Sequence, residues 1–82
     1  MSVTLAFLFI ECVKNQADNV KKFVKEIHGV SEAHSTSNAA QYDVVAKVET
    51  EDENRLKYVV NTVKGIAGIL AVVTAITHGN VS

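Results

Sequence analysis

The sequence predicts an α+β sandwich, in which a four-stranded antiparallel sheet carries two helices on one face. Three observations predict it. The apolar pattern gives the element order β-α-β-β-α-β, and the second half of the chain repeats the pattern of the first. The chain has 82 residues, enough for one domain that buries only about 60–65% of its unfolded surface.

The first half predicts a strand, a helix and a second strand. Residues 3 to 13 (VTLAFLFIECV) are rich in β-branched and aromatic side chains, which favour a strand. Asn15 and Asp18 have the spacing of a helix cap, and apolar residues then recur at helical spacing until Gly29 ends the helix. Residues 30 to 37 are extended but mostly polar, which is typical of an edge strand.

The second half predicts the remaining strand, helix and strand. Residues 42 to 50 alternate in polarity, with Tyr42 on the same side as Val44. Thr50 and Glu53 have the spacing of a capping box, and the apolar stripe that begins at Leu56 continues to residue 66. Residues 69 to 77 (ILAVVTAIT) form the last predicted strand.

The internal repeat has a period of thirty-nine residues. It superimposes Val20 on Val59, Val24 on Val63, Lys25 on Lys64, Ile27 on Ile66, and Gly29 on Gly68. Each half therefore has an apolar helix that ends at a glycine and leads directly into a strand. Two such βαβ units with right-handed crossovers give the ferredoxin-like fold, with the first and third strands central.

The first and last strands are apolar on both faces. In the first strand Val3, Leu5, Phe7 and Phe9 lie on one face, opposite Ala6, Leu8, Ile10 and Cys12. In the last strand Ile69, Ala71, Val73 and Ala75 lie opposite Leu70, Val72 and Ile76. Helices can cover only one face, and the other would expose more apolar surface than monomers usually tolerate. We therefore predict a twofold dimer that pairs through the open sheet face.

Composition and charge exclude several classes of function. The net charge is −1 and no basic stripe is present, which argues against nucleic-acid binding. The apolar run at residues 5 to 10 is too short to span a membrane, and no signal peptide is evident, so we expect a cytoplasmic protein.

The chain offers few candidates for metal, redox or catalytic chemistry. Cys12 is the lone cysteine, which excludes an internal disulfide and favours an inert packed thiol. The three histidines are scattered along the chain, so we predict no metal site. The spacing of nucleophilic and basic residues does not indicate an active site, so we predict neither a cofactor nor an enzyme.

The connection between the second and third strands is the candidate binding site. It lacks the glycine of a tight hairpin and offers hydroxyl, amide and carboxylate groups. Such groups could hold both ends of a zwitterion, because a carboxylate accepts from an ammonium group while hydroxyls and amides donate to a carboxylate. A plain solvated hairpin is the alternative. The candidate residues here are Ser35, Ser37, Asn38, Gln41, Tyr42 and Asp43.

Four segments make the chain resemble the ligand-binding (RAM) domain of the Lrp/AsnC transcription regulators. They are VSEAH at 30–34, YDVVAKV at 42–48, LKYVV at 56–60 and IAGI at 66–69. The resemblance covers residues 3 to 77 and implies a ferredoxin-like domain that dimerises sheet to sheet. It also implies rings of about eight or ten subunits and an amino-acid pocket between dimers, beside the Tyr and Asp that fall on Tyr42 and Asp43.

Three departures from the family pattern bear on function. No helix-turn-helix segment precedes the first strand, so we expect residues 1 to 82 to be a single stand-alone domain that does not bind DNA itself. Ala40 stands at the glycine that the family has before x-Y-D, in a turn about two residues longer. The family's T-x-T motif falls on residues 72 to 74, where only Thr74 is kept as a ligand-binding candidate.

The leading hypothesis is an effector-sensing module that binds an amino acid or similar metabolite between subunits. It would modulate full-length Lrp/AsnC-type regulators by joining their assemblies. The rivals are a structural oligomerisation module without a ligand, a small dimeric barrel enzyme of the monooxygenase type, and an ACT-like amino-acid sensor. An enzyme of that type would need a polar cavity between helices and sheet, whereas the residues predicted there are aliphatic.

Overall fold

The computed structural model describes residues 4–36 and 41–77, which form the predicted β-α-β-β-α-β order. The elements are β1 (Thr4–Cys12), α1 (Ala17–Lys25), β2 (Val30–Ser35), β3 (Val44–Thr50), α2 (Glu53–Lys64) and β4 (Ile69–Thr77). The four strands form one antiparallel sheet in the order β2-β3-β1-β4, so β1 and β3 are central as predicted. The ferredoxin-like fold is confirmed.

The core lies between the sheet and the helices. Alternate residues of β1 and β3 face the helices and are buried, while Val20 and Val24 of α1 and the apolar stripe of α2 cover them. This burial removes apolar side chains from water and supplies most of the driving force for folding. The buried sheet residues are Ala6, Leu8, Ile10, Cys12, Ala33, Val44, Ala46, Val48 and Thr50.

The repeat is visible as two matching turns. Gly29 and Gly68 both adopt positive φ, at 110° and 94°, in the turn between each helix and the strand that follows it. The carbonyl of Gly29 accepts from the Glu49 N–H at 2.9 Å, and that of Gly68 accepts from the Val13 N–H at 2.8 Å. Each turn is thus fastened to the end of a central strand in the other half. A side chain would be strained at both glycines.

Both predicted helix caps are wrong. The N-cap of α1 is Gln16, which makes no side-chain capping bond, and Asn15 lies in the preceding turn with φ of 71°. The N-cap of α2 is Asp52, whose carboxylate accepts from the Arg55 N–H at 2.8 Å. Thr50 is still part of β3, and its hydroxyl donates to the Asp52 carbonyl. Aspartate is as good an N-cap residue as threonine, because its carboxylate can accept from the N–H three residues later. Thr50 is not the N-cap because it still pairs with β1.

The predicted ends of three elements shift by two residues. β2 ends at Ser35 rather than residue 37, β3 begins at Val44 rather than Tyr42, and α2 ends at Lys64 rather than residue 66. The bounds of β4 are as predicted. Neither described helix has the length and apolar character needed to cross a bilayer.

The prediction that Ile69 shares a face of β4 with Ala71, Val73 and Ala75 is wrong, because β4 contains a bulge. The β1–β4 register shifts between Glu11 and Cys12, so Ile69 pairs with Cys12 and packs against the core. Ala71, Val73 and Ala75 pair with β1 residues of the open face. Ile69 therefore does not share their face, since the extra residue of a bulge reverses the alternation.

Candidate functional site

The connection between β2 and β3 is closed by two hydrogen bonds at its ends. The Thr36 N–H donates to the Asp43 carbonyl at 3.0 Å, and the Thr36 hydroxyl donates to the Tyr42 carbonyl. Ser35 and Gln41 are exposed on either side of this closure. The predicted ligand residues Ser37 and Asn38 lie outside the described residues. The described part of the connection therefore presents Tyr42 and Asp43 from a fixed backbone.

Asp43 joins this connection to the end of β1. One carboxylate oxygen, Oδ2, accepts from the Cys12 N–H at 2.9 Å, and the Asp43 N–H donates to the Ile10 carbonyl at 2.8 Å. Burial and then the Asp43 charge raise the pKa of the Cys12 thiol, which favours its protonated form. Asp43 thus has a structural role, and its other carboxylate oxygen is the group that could accept from a ligand.

Replacing Asp43 with alanine should destabilise the protein by about 1–3 kcal/mol, because the Cys12 N–H would lose its acceptor in a partly buried position. Asp43→Asn keeps an acceptor oxygen at the same place and should cost less than Asp43→Ala. Urea unfolding followed by circular dichroism measures both. Equal stability of Asp43→Ala and the unmodified protein would show that this hydrogen bond contributes nothing.

Tyr42 lies over the open face of the sheet. Its ring is half-buried, with the centroid 5.8 Å from that of Phe9 and a tilt of 49° between the rings. The prediction that Tyr42 shares the face of Val44 is wrong, since Val44 is buried towards the helices. Strand alternation begins only at Val44, so it does not fix the direction of the residues before β3.

The open face carries an apolar row across the sheet. Phe9 pairs with Val45 of β3 on one side and Val73 of β4 on the other, and Phe7 pairs with Ala75 one step along. Val73 is 46% exposed in a single chain, and Phe7 and Phe9 are only partly covered. The row is flanked by Tyr42. We name Phe7, Phe9, Val45, Val73, Ala75 and Tyr42 the open-face patch.

A polar corner borders the open-face patch on β2 and β3. Glu32 contacts His34 Nε2 at 3.1 Å and Lys47 Nζ at 3.9 Å. The His34 hydrogen bond, followed by the Lys47 charge, lowers the pKa of Glu32. Both contacts are exposed to solvent, where ion pairs add little to stability. Their effect is to make this corner of the face hydrophilic.

Thr74, the remaining predicted ligand residue, lies on the other side of the sheet. It pairs with Leu8 and faces the helices, where it lines a groove of about 350 Å³ between α2 and β4. One chain therefore does not bring Thr74 together with Tyr42, which lies on the open face. The groove also contains lysines that the sequence analysis did not single out. The lining residues are Leu56, Lys57, Val60, Asn61, Lys64, Thr74 and Ile76.

A second groove, of about 560 Å³, lies at the end of the sheet away from Tyr42 and Asp43. It combines basic and acidic side chains beside the N-terminus of α2. No group of three or more potential metal-ligating side chains occurs among residues 4–36 and 41–77. The lining residues are His28, Gly29, Glu49, Thr50, Glu51, Asp52 and Arg55.

Solved structures show that the fold is shared with regulators and with an enzyme. TTHA0845 from Thermus thermophilus superimposes with a TM-score of 0.88 and 24% identity, over 96% of this chain and 98% of that one. E. coli AsnC superimposes with a TM-score of 0.82 and 22% identity, over 94% of this chain. The match covers about half of the AsnC chain (52%). The siroheme decarboxylase NirDL superimposes with a TM-score of 0.76 and 16% identity, over 90% of this chain and 25% of that chain.

No curated protein matches the chain in sequence. The model of the Lrp/AsnC ligand binding domain, in contrast, matches residues 5 to 81. This range includes both halves of the repeat, the β2–β3 connection and every strand residue except Thr4. The protein therefore belongs to the Lrp/AsnC ligand-binding domain family, the effector-binding part of a class of transcription regulators.

Proposed function

We propose that this domain dimerises through the open-face patch and senses an amino acid or similar small zwitterion at a contact between subunits. The observation that carries the proposal is the partly exposed row of Val45, Phe9 and Val73 across the middle of the sheet. A face of this kind gains stability when a second apolar surface removes it from water. A copy of the same face, related by a twofold axis, is the simplest such surface.

Tyr42 and Asp43 are the proposed ligand groups. Tyr42 borders the open-face patch, and Asp43 follows it with one carboxylate oxygen committed to the Cys12 N–H. A second subunit packed beside Tyr42 and Asp43 would enclose the tyrosine hydroxyl and the other carboxylate oxygen of the aspartate. Ser35 and Gln41 add exposed polar groups to the same end of the sheet. Thr74 would take part only from a different subunit, because it faces the helices.

Assembly is the proposed link from ligand to regulation. A ligand held between subunits stabilises whichever assembly forms its pocket, and so shifts the population of assemblies. Dimers that join further dimers into rings, or that join full-length regulators of the same family, would transmit this shift. The family membership supports such a role. The aliphatic, fully buried helix-facing side of the sheet (Leu8, Ile10, Val44 and Val48) favours it over an enzyme with a polar cavity there.

A thermal-shift screen of the twenty amino acids at millimolar concentration tests the ligand. At least one should raise the melting temperature, because a ligand that binds only the folded assembly stabilises it by about 2.7 kcal/mol at a hundred times its Kd. Tyr42→Phe keeps the ring contact with Phe9 but removes the hydroxyl, and should reduce the shift.

Tyr58→Phe is the matched control, since Tyr58 is an exposed tyrosine on α2, and it should leave the shift unchanged. A flat response to all twenty amino acids would contradict ligand binding and leave only the assembly role. A shift that Tyr42→Phe and Tyr58→Phe preserve equally would place the ligand elsewhere.

A further inference from the structure

We propose that the outer surface of the two helices binds a short acidic segment of a partner protein that also carries apolar side chains. The contact surface consists of Lys22, Phe23 and Lys25 of α1 with Arg55 and Tyr58 of α2, and we name it the helix-layer surface. It lies on the opposite side of the sheet from the open-face patch. The inference therefore does not rest on the proposed function.

Charge is divided unevenly between the helices and the rest of the chain. α1 and α2 contain six of the eight lysine and arginine residues but only two of the nine acidic residues, Asp18 and Glu53. Six cations and two acids give the helices a net charge of +4, while two cations and seven acids give the remaining residues −5. A protein with an overall charge of −1 thus has one basic side. Charge complementarity selects an acidic partner for that side.

The lysines of α1 are available to such a partner. Lys22 and Lys25 are exposed and lie about one helical turn apart. Among the described residues neither lysine forms an ion pair, since the ion pairs there join Glu32 to His34 and Lys47. Two carboxylates of a partner segment could therefore bind these lysines without displacing an internal contact.

Two exposed aromatic rings accompany these charges. Phe23 and Tyr58 are each 57% exposed, and the Arg55 guanidinium lies over the Tyr58 ring, 4.8 Å from its centroid. Tyrosine and arginine are enriched among the residues that contribute most to protein interfaces. An apolar side chain of the partner would remove part of the Phe23 ring from water, which favours association. The surface therefore selects a segment that combines acidic and apolar residues.

The internal repeat places Phe23 on the flank of α1 that faces α2. It superimposes Phe23 on Thr62 of α2. The flank of α2 that carries Lys64 lines the groove beside β4, so the flank that carries Thr62 faces α1. The two helices also approach each other at this end of α1, because a Cβ on Gly29 would lie 3.2 Å from Val59 Cγ2. Phe23 thus borders the seam between the helices, where one partner side chain can contact both.

An acidic protein segment fits this surface better than a nucleic acid does. Asp18 and Glu26 lie about one turn before and after Lys22, and Glu53 lies in the first turn of α2. A nucleic acid carries a negative charge on every phosphate and would meet these carboxylates with like charges. A protein segment can place neutral side chains opposite them and its own carboxylates opposite the lysines.

Binding of a designed acidic peptide tests the proposal. The probe is a dye-labelled peptide in which pairs of glutamates alternate with a leucine or a phenylalanine, measured by fluorescence anisotropy up to about 1 mM. We expect saturable binding that shifts the amide NMR resonances of Lys22, Phe23 and Tyr58 more than those of Phe7 and Val45 on the open face. A peptide with glutamine in place of each glutamate should bind at least about tenfold more weakly.

Variants of the protein locate the contact. Lys22→Glu/Lys25→Glu should lose at least about tenfold in affinity for the peptide, and Phe23→Ala at least about fivefold. Lys14→Glu/Lys47→Glu is the matched control, because it makes the same change in net charge outside the helices. Its affinity should stay within about twofold of that of the unmodified protein. Circular dichroism checks that each variant is folded.

Several outcomes would overturn the proposal. They are no binding at the highest concentration, equal binding of the glutamate and glutamine peptides, and equal losses from the two charge-reversed variants. A single-stranded oligonucleotide with the same charge as the peptide is the second probe, and tighter binding of the oligonucleotide would identify a nucleic acid as the occupant instead. A smaller mass for Lys22→Glu/Lys25→Glu than for the unmodified protein would identify a second copy as the occupant.

Discussion

Replacing Phe9 with aspartate should convert the protein from a dimer, or a multiple of dimers, into a folded monomer. Phe9 lies at the centre of the open-face patch, between Val45 and Val73. An aspartate there would place a carboxylate in an apolar interface without a partner, which costs far more than the interface gains from one side chain. Light scattering after size-exclusion chromatography should give a mass near 8.9 kDa.

Two further variants separate loss of the interface from loss of the fold. Val73→Asp changes a side chain that is already 46% exposed in one chain, so it should also give a monomer while leaving the single chain stable. Phe23→Asp makes the same substitution as Phe9→Asp at an exposed position on α1, and should keep the original mass. A Phe9→Asp protein with intact circular dichroism and unchanged mass would show that the open face is not the interface.

Replacing Leu8 with alanine should reduce the free energy of unfolding by about 2–5 kcal/mol. Leu8 is 0% exposed at the middle of β1, and it pairs with Ala46 of β3 and Thr74 of β4. Alanine would leave a cavity between the two central strands and the helices, where the fixed backbone limits collapse. Urea unfolding at one fixed protein concentration measures the loss, since the stability of an assembly depends on concentration.

Leu70→Ala is the matched control for Leu8→Ala. Leu70 is a strand leucine that is 62% exposed, beside the bulge in β4, so its truncation should change stability by about 0.5 kcal/mol or less. Similar losses from the two substitutions would contradict the assignment of the helix-facing side of β1 as the core.

The fold could be predicted from the sequence because apolar periodicity reports which side chains are buried. The helix-facing residues of β1 from Ala6 to Cys12 and of β3 from Val44 to Val48 follow that rule, and Thr50 is a buried polar residue on the same side. The capping residues could not be predicted from spacing alone. Asn15, Thr50 and Asp52 all carry oxygens that could cap a helix, but only Asp52 does so, because the point at which each helix begins depends on the tertiary structure. The bulge at Cys12 and Ile69 likewise leaves no mark in the polarity pattern.

The candidate site could be predicted only in part. The sequence pointed to Tyr42 and Asp43, but the Asp43 bond to the Cys12 N–H joins residues thirty-one positions apart, and local sequence does not reveal it. Thr74 was predicted as a ligand-binding residue from the family pattern. That pattern does not reveal that Thr74 faces α2, on the other side of the sheet from Tyr42. The groove lysines were missed because single lysines on a helix are indistinguishable in sequence from ordinary solvated charges.

The mass of the unmodified protein in solution tests the central claim most directly. Native mass spectrometry or light scattering at micromolar concentration should give an even multiple of 8.9 kDa, because burial of the open-face patch requires a second copy. A mass of 8.9 kDa under those conditions would contradict pairing through the open face and, with it, a ligand site formed between subunits.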